Sequence, residues 1–120
     1  ILTMPTPEFP SGNDSICIGQ NMQWFNRINK VNCDTDKSFF LGKKGIYTII
    51  NNSLISLVNK HSNLYLWDTF EVLCNDKICK YSDNDENAFF SDSNHVSNYT
   101  NRVKLFPSLY EFIRINLQPN

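Results

Sequence analysis

Ile46-Tyr47-Thr48-Ile49-Ile50-Asn51-Asn52-Ser53-Leu54-Ile55-Ser56-Leu57-Val58-Asn59-Lys60, with Leu64-Tyr65-Leu66-Trp67-Asp68-Thr69-Phe70 behind it, decides the fold class. In the first stretch Ile46, Ile49, Ile50, Leu54, Leu57 and Val58 recur at intervals of three and four, the period of an amphipathic helix. Asn51, Asn52, Ser56 and Asn59 fall on the other face. His61 and Asn63 stand where the helix stops, and His61 suits its C-terminal dipole. The second stretch, bulky and aromatic, reads as a strand. Ile1 to Met4 is a further apolar run, broken by Pro5-Thr6-Pro7. Two prolines in three residues force the chain out of strand or helix, so this is a buried strand entering a loop. Strand, helix, strand in that order predicts a right-handed parallel crossover, hence an α/β fold.

Around this unit the pattern is plainer. Pro10-Ser11-Gly12-Asn13-Asp14 continues the first loop. Cys17 to Asn29 reads as a short helix with Met22, Phe25 and Ile28 at helical spacing, and Asn32 to Lys44 as polar and irregular. Asn75 to Asn87 is polar loop, Ala88-Phe89-Phe90 a short apolar stretch, and Asp92 to Asn101 loop. Pro107 opens a last helix with Leu109, Phe112 and Ile113 on one face.

The 120 residues fit one domain, and a hydrophobic fraction of 41% supplies a core. A net charge of -1 without a basic stripe excludes nucleic acid as the expected partner. No apolar run reaches the roughly 20 residues needed to span a bilayer. The opening Ile1-Leu2-Thr3-Met4 has neither a charged n-region nor an initiating Met, so the expectation is a fragment of a longer chain.

The four cysteines, Cys17, Cys33, Cys74 and Cys79, point to disulfides and an oxidising compartment. They allow three pairings; proximity favours Cys74–Cys79 and Cys17–Cys33. Their spacing does not suit a zinc site, so no metal is expected. Asp34, Asp36 and Asp83-Asn84-Asp85-Glu86 lack the register of a calcium loop and read as solvated. Trp24 and Trp67 could stack on sugar rings but read as core.

Chemistry concentrates in Phe90-Ser91-Asp92-Ser93-Asn94-His95-Val96-Ser97. A carboxylate three residues before an imidazole can accept from one ring nitrogen. The other nitrogen is then free to take a proton from a serine hydroxyl. Asp92 in such a loop could equally just cap a turn. Ser97 reads as an N-cap or turn residue, not a nucleophile.

Several blocks resemble one family, the SGNH domain attached to family-three membrane acyltransferases, which O-acylate cell-surface polysaccharides. Ile1 to Pro10 resembles its strand and Pro-x-Pro-Glu-Phe-like loop, with a cysteine, here Cys17, following. Leu73-Cys74 with Cys79 resembles its Leu-Cys…Cys pair. Phe90, Asp92, His95, Val96 and Ser97 resemble its terminal block, and Pro107 to Ile115 its closing helix. The resemblance implies a three-layer flavodoxin-like α/β sandwich with a parallel sheet, of which residues 1–120 form the C-terminal portion. It implies that Asp92 orients His95 as general base, without cofactor. The serine and oxyanion-hole residues of the family lie upstream; Gly12-Asn13-Asp14-Ser15 imitates them by letter only. The 120 residues alone are thus expected to be inactive and, as a two-strand parallel piece, poorly stable.

The function implied is serine-dependent acyl transfer, acetyl foremost, to or hydrolysis from carbohydrate. The donor would come through a membrane acyltransferase domain of the same protein, on the extracytoplasmic side. The rival readings are a non-catalytic glycan- or partner-binding module of the same fold, and an unrelated disulfide-stapled secreted domain.

Overall fold

A computed structural model describes residues 1–9, 33–42, 46–84 and 87–117. Strand β1 (Leu2–Thr3) pairs in parallel with β3 (Leu66–Trp67), Leu2 opposite Leu66 and Thr3 opposite Trp67. The ladder runs on through Leu2 N–H to the Tyr65 carbonyl (2.8 Å) and Met4 N–H to the Trp67 carbonyl (3.0 Å). The long helix spans Ile46–Lys60, the predicted bounds, and packs along β3. It is α2 in chain order. Its half-buried residues include Tyr47, Ile50, Leu54 and Val58, whereas Ile49 and Leu57 are exposed. The α/β character follows. The described strands form two separate two-stranded sheets, β1–β3 and the antiparallel β2 (Thr35–Asp36) with β4 (Ile78–Cys79).

Three expectations need correction. The strand expected over 64–70 ends at Trp67, because Asp68 caps a helix instead. Its Oδ1 accepts from Phe70 N–H (2.8 Å), and α3 runs Thr69–Leu73. The described part of the stretch expected to be irregular over 32–44, residues 33–42, is ordered into elements. It holds β2 and helix α1 (Lys37–Leu41), whose Phe40 is buried while Phe39 is exposed. The loop expected over 92–101 ends at Ser97. Helix α4 (Asn98–Thr100) runs through a π-helical turn (Asn101–Leu105) into α5 (Phe106–Leu117), so Pro107 lies inside a continuous helical run. A proline ring crowds the preceding turn and offers no N–H. The wider π turn just before it, closed by Phe106 N–H to the Asn101 carbonyl, accommodates that defect.

The core is aromatic. Phe9 meets Phe90 (4.8 Å between centroids), Tyr81 (5.2 Å) and Phe40 (5.5 Å) edge to face, and Phe40 passes the cluster on to Phe70. Trp67 is buried, and its indole N–H donates to Ser108 Oγ (3.1 Å), which docks α5 on β3 and leaves no ring face for a sugar. Cys74 and Cys79 form a disulfide, closing the loop that leads into β4. The Cys17–Cys33 pairing, the helix over 17–29, Trp24 and Gly12-Asn13-Asp14-Ser15 involve residues outside those described. Among the described residues no helix is long and apolar enough to cross a membrane, and no group of three metal-ligating side chains occurs.

Phe40→Ala is expected to destabilise the fold by about 3–5 kcal/mol, since it empties the centre of the cluster. The neighbouring Phe39→Ala should cost about 1 kcal/mol or less, because that ring is mostly solvated. Urea unfolding of the two variants measures the contrast.

Candidate active site

Asp92 and His95 sit on the tip of a small hairpin. Its arms are joined by the antiparallel bridge Phe90–Val96, by Ser91 N–H to the His95 carbonyl (2.7 Å) and by Ser97 N–H to the Phe89 carbonyl (3.0 Å). Alternation along the first arm sends Phe90 into the Phe9 cluster. Phe89 goes to the other side, against Tyr99 (6.5 Å, nearly parallel) and beneath the Lys104 ammonium (4.6 Å). Two adjacent buried rings therefore fix the arm from both faces.

Within the tip, Asp92 organises the turn. Its Oδ1 accepts from the backbone N–H groups of Asn94 (3.0 Å) and His95 (2.7 Å), an Asx-type arrangement. Its Oδ2 lies 2.7 Å from His95 Nδ1. The turn-capping and imidazole-orienting roles, alternatives in the sequence, are thus filled at once by the two oxygens of one carboxylate. These bonds, from the His95 amide first, then the Asn94 amide and the His95 ring, hold the Asp92 carboxyl below the usual aspartate range. With the proton on Nδ1, the lone pair of Nε2 points away from Asp92. Nε2 has no hydrogen-bond partner among the described residues, and the His95 side chain is 76% exposed.

The hairpin tip is tied to distant sequence. Phe9 N–H donates to the Ser93 carbonyl (2.8 Å), and Thr6 Oγ1 donates to the Asn94 carbonyl (3.2 Å). Sequence reasoning did not single out Thr6 and Phe9 individually. The Pro-x-Pro-Glu-Phe block was the one signal that pointed at them.

Ser97 is the N-cap of α4, as expected. Its Oγ accepts from Thr100 N–H (3.2 Å) and donates to the Ala88 carbonyl (2.7 Å), so its proton is committed. His61 lies just past α2, exposed, with its N–H on the Val58 carbonyl. The Asp83 carboxylate is bonded by Asn87 and Tyr99, and Asp34 accepts from Tyr81 N–H. These carboxylates serve structure. A recess of about 380 Å³ is lined by Leu73, Phe89, Lys80 and Lys104 among others, and by neither Asp92 nor His95.

A family model described as SGNH domain (fused to AT3 domains) matches residues 1–103. The match covers β1, the proline-containing loop, α2, β3, the disulfide and the whole hairpin. Comparison with curated proteins and with solved structures finds no match.

The Asp92 carboxyl should titrate below its ordinary value by NMR. Most of that depression should persist in His95→Ala, whose backbone N–H remains, because the backbone bonds outrank the ring. A lowered folded-state pKa means the stabilisation of the turn is present above the unfolded aspartate value. It is lost as pH falls through the folded value. Ser97→Ala should cost about 1 kcal/mol of stability as a lost cap, which chemical denaturation measures.

Proposed function

This chain belongs to the family of SGNH domains fused to AT3 domains, whose role is related to acyl transfer and hydrolysis; from that premise we propose that Asp92 and His95 are the acid–base half of a Ser-His-Asp triad. The observation that carries the reading is the 2.7 Å contact of Asp92 Oδ2 with His95 Nδ1, beside an Nε2 left open. His95 Nε2 takes the proton of a serine hydroxyl as the serine oxygen attacks an ester carbonyl. The imidazolium is stabilised by Asp92 and then returns the proton to the leaving alcohol. A carbohydrate hydroxyl or water, deprotonated by the same nitrogen, then attacks the serine ester, and the imidazolium returns that proton to the departing serine oxygen as the acylated carbohydrate or free acid leaves.

The serine and the oxyanion donors belong to sequence outside these 120 residues, which form the C-terminal portion of the domain. The full domain is a three-layer flavodoxin-like sandwich, in which the parallel pair β1–β3 is extended by further strands and α2 is one covering helix. The substrate is cell-surface carbohydrate, and the acyl group, acetyl foremost, is delivered by the membrane acyltransferase domain of the same protein. The Cys74–Cys79 disulfide supports an extracytoplasmic site, since such bonds persist in oxidising compartments.

The test is the full-length protein on p-nitrophenyl acetate and on an acetylated glycan. His95→Ala should lower kcat by about 10³-fold or more, and Asp92→Asn by about 10²–10⁴-fold, with KM little changed. Equal kcat in His95→Ala and wild type would remove His95 from the mechanism, whereas a wild type without turnover on either substrate would leave the non-catalytic binding module as the reading that stands.

A further inference from the structure

Buried Phe89 and Phe90 and the half-buried Val96 seat the arms of the hairpin that carries Asp92 and His95, and the bonds within its tip fix the tip's shape but not its tilt on those arms. Its internal bonds are Ser91 N–H to the His95 carbonyl, the Phe90–Val96 bridge and the three bonds to Asp92. All of them would survive a tilt of the whole tip. Among the described residues, the only hydrogen bonds from the tip to remote sequence are the two from the proline-containing loop: Phe9 N–H to the Ser93 carbonyl and Thr6 Oγ1 to the Asn94 carbonyl. They reach the two residues between Asp92 and His95.

That loop is itself stiff and held. Pro5 and Pro7 fix their own φ and restrict the residues before them. Pro7 is fully buried. At the start of the loop the buried hydroxyl of Thr69, in the first turn of α3, lies 2.9 Å from the Met4 carbonyl and 3.3 Å from the Pro5 carbonyl. At its end the Phe9 ring is locked among Phe40, Tyr81 and Phe90. A rigid segment with both ends anchored in the core thus presents one side chain and one amide to the tip.

We propose that Thr6 and Phe9 are positioning residues: the loop clamps the Asp92–His95 tip through the Ser93 and Asn94 carbonyls and sets the direction in which His95 Nε2 is presented. The catalytic part rests on the proposed triad; the clamp itself does not. Because the Asp92–His95 bond is local, losing the clamp misdirects the imidazole without changing its carboxylate partner. Misplacement of a base by a fraction of an ångström acts on turnover rather than on substrate binding.

The test uses the full-length protein with Thr6→Val, which removes the donor and keeps the shape, and Thr6→Ser, which keeps it. In Thr6→Val, hydrogen–deuterium exchange of the peptide spanning 91–96 should speed up about fivefold. Its kcat on p-nitrophenyl acetate should fall about fivefold with KM unchanged. The Asp92 carboxyl should titrate as in wild type, and Thr6→Ser should restore both rates. Wild-type exchange or wild-type kcat in Thr6→Val, with His95→Ala inactive, overturns the clamp and leaves the triad standing. Wild-type kcat in His95→Ala overturns the triad and the presenting role together.

Discussion

The ring of Phe9 is where three remote parts of the chain become one core. It meets Phe40 of α1, Tyr81 beyond β4 and Phe90 of the hairpin arm, while its own amide holds the Ser93 carbonyl at the tip. The strands are two residues long and contribute few ladder bonds, so pairing alone cannot set the relative position of the segments. Edge-to-face rings supply what the short strands lack, each pair adding about 0.5–1.5 kcal/mol beyond the area it buries. They are also directional, so they fix orientation as well as proximity. An aliphatic side chain at position 9 would bury area without that orientational preference.

The parts of the fold legible in the sequence are those whose pattern is local. Ile46–Lys60 declares itself through its period, and the helix takes those bounds. Leu64–Phe70 reads as strand on composition, yet Asp68 followed by Thr69 and Phe70 is a capping signal. One hydrogen bond to the Phe70 amide outweighs the β-propensity of the residues around it. Phe39-Phe40 stands in a polar stretch, and two adjacent rings carry no period. Only tertiary packing separates the buried one from the exposed one. At Pro107 the local rule was sound, but the upstream π turn, which periodicity does not reveal, lets the helix run through.

The same division holds at the site. Asp92 and His95 stand three positions apart, and the bond between them closes within one turn, so residue type and spacing are enough to find the pair. The clamp is different. Thr6 reaches Asn94 across 88 positions of sequence, and no spacing rule connects them. Pro5 and Pro7 announced a rigid loop but not what it was rigid against.

Exposure gives the pair its last constraint. An imidazole that is 76% solvated is poorly placed to stabilise a developing charge, because water screens the field that a closed site would concentrate. The surface that delivers the serine in the proposed triad therefore also has to cover the tip and exclude water. Enclosure ordinarily raises a carboxyl pKa and threatens to neutralise it. Asp92 is guarded against that: Oδ1 already accepts two backbone N–H groups and Oδ2 faces the imidazole, all from its own turn. Those bonds pull its pKa down before any covering occurs. The turn thus supplies both oxygens of Asp92 with hydrogen-bond partners of its own, so that covering the tip leaves neither unsatisfied, which suits the orienting carboxylate of the proposed triad.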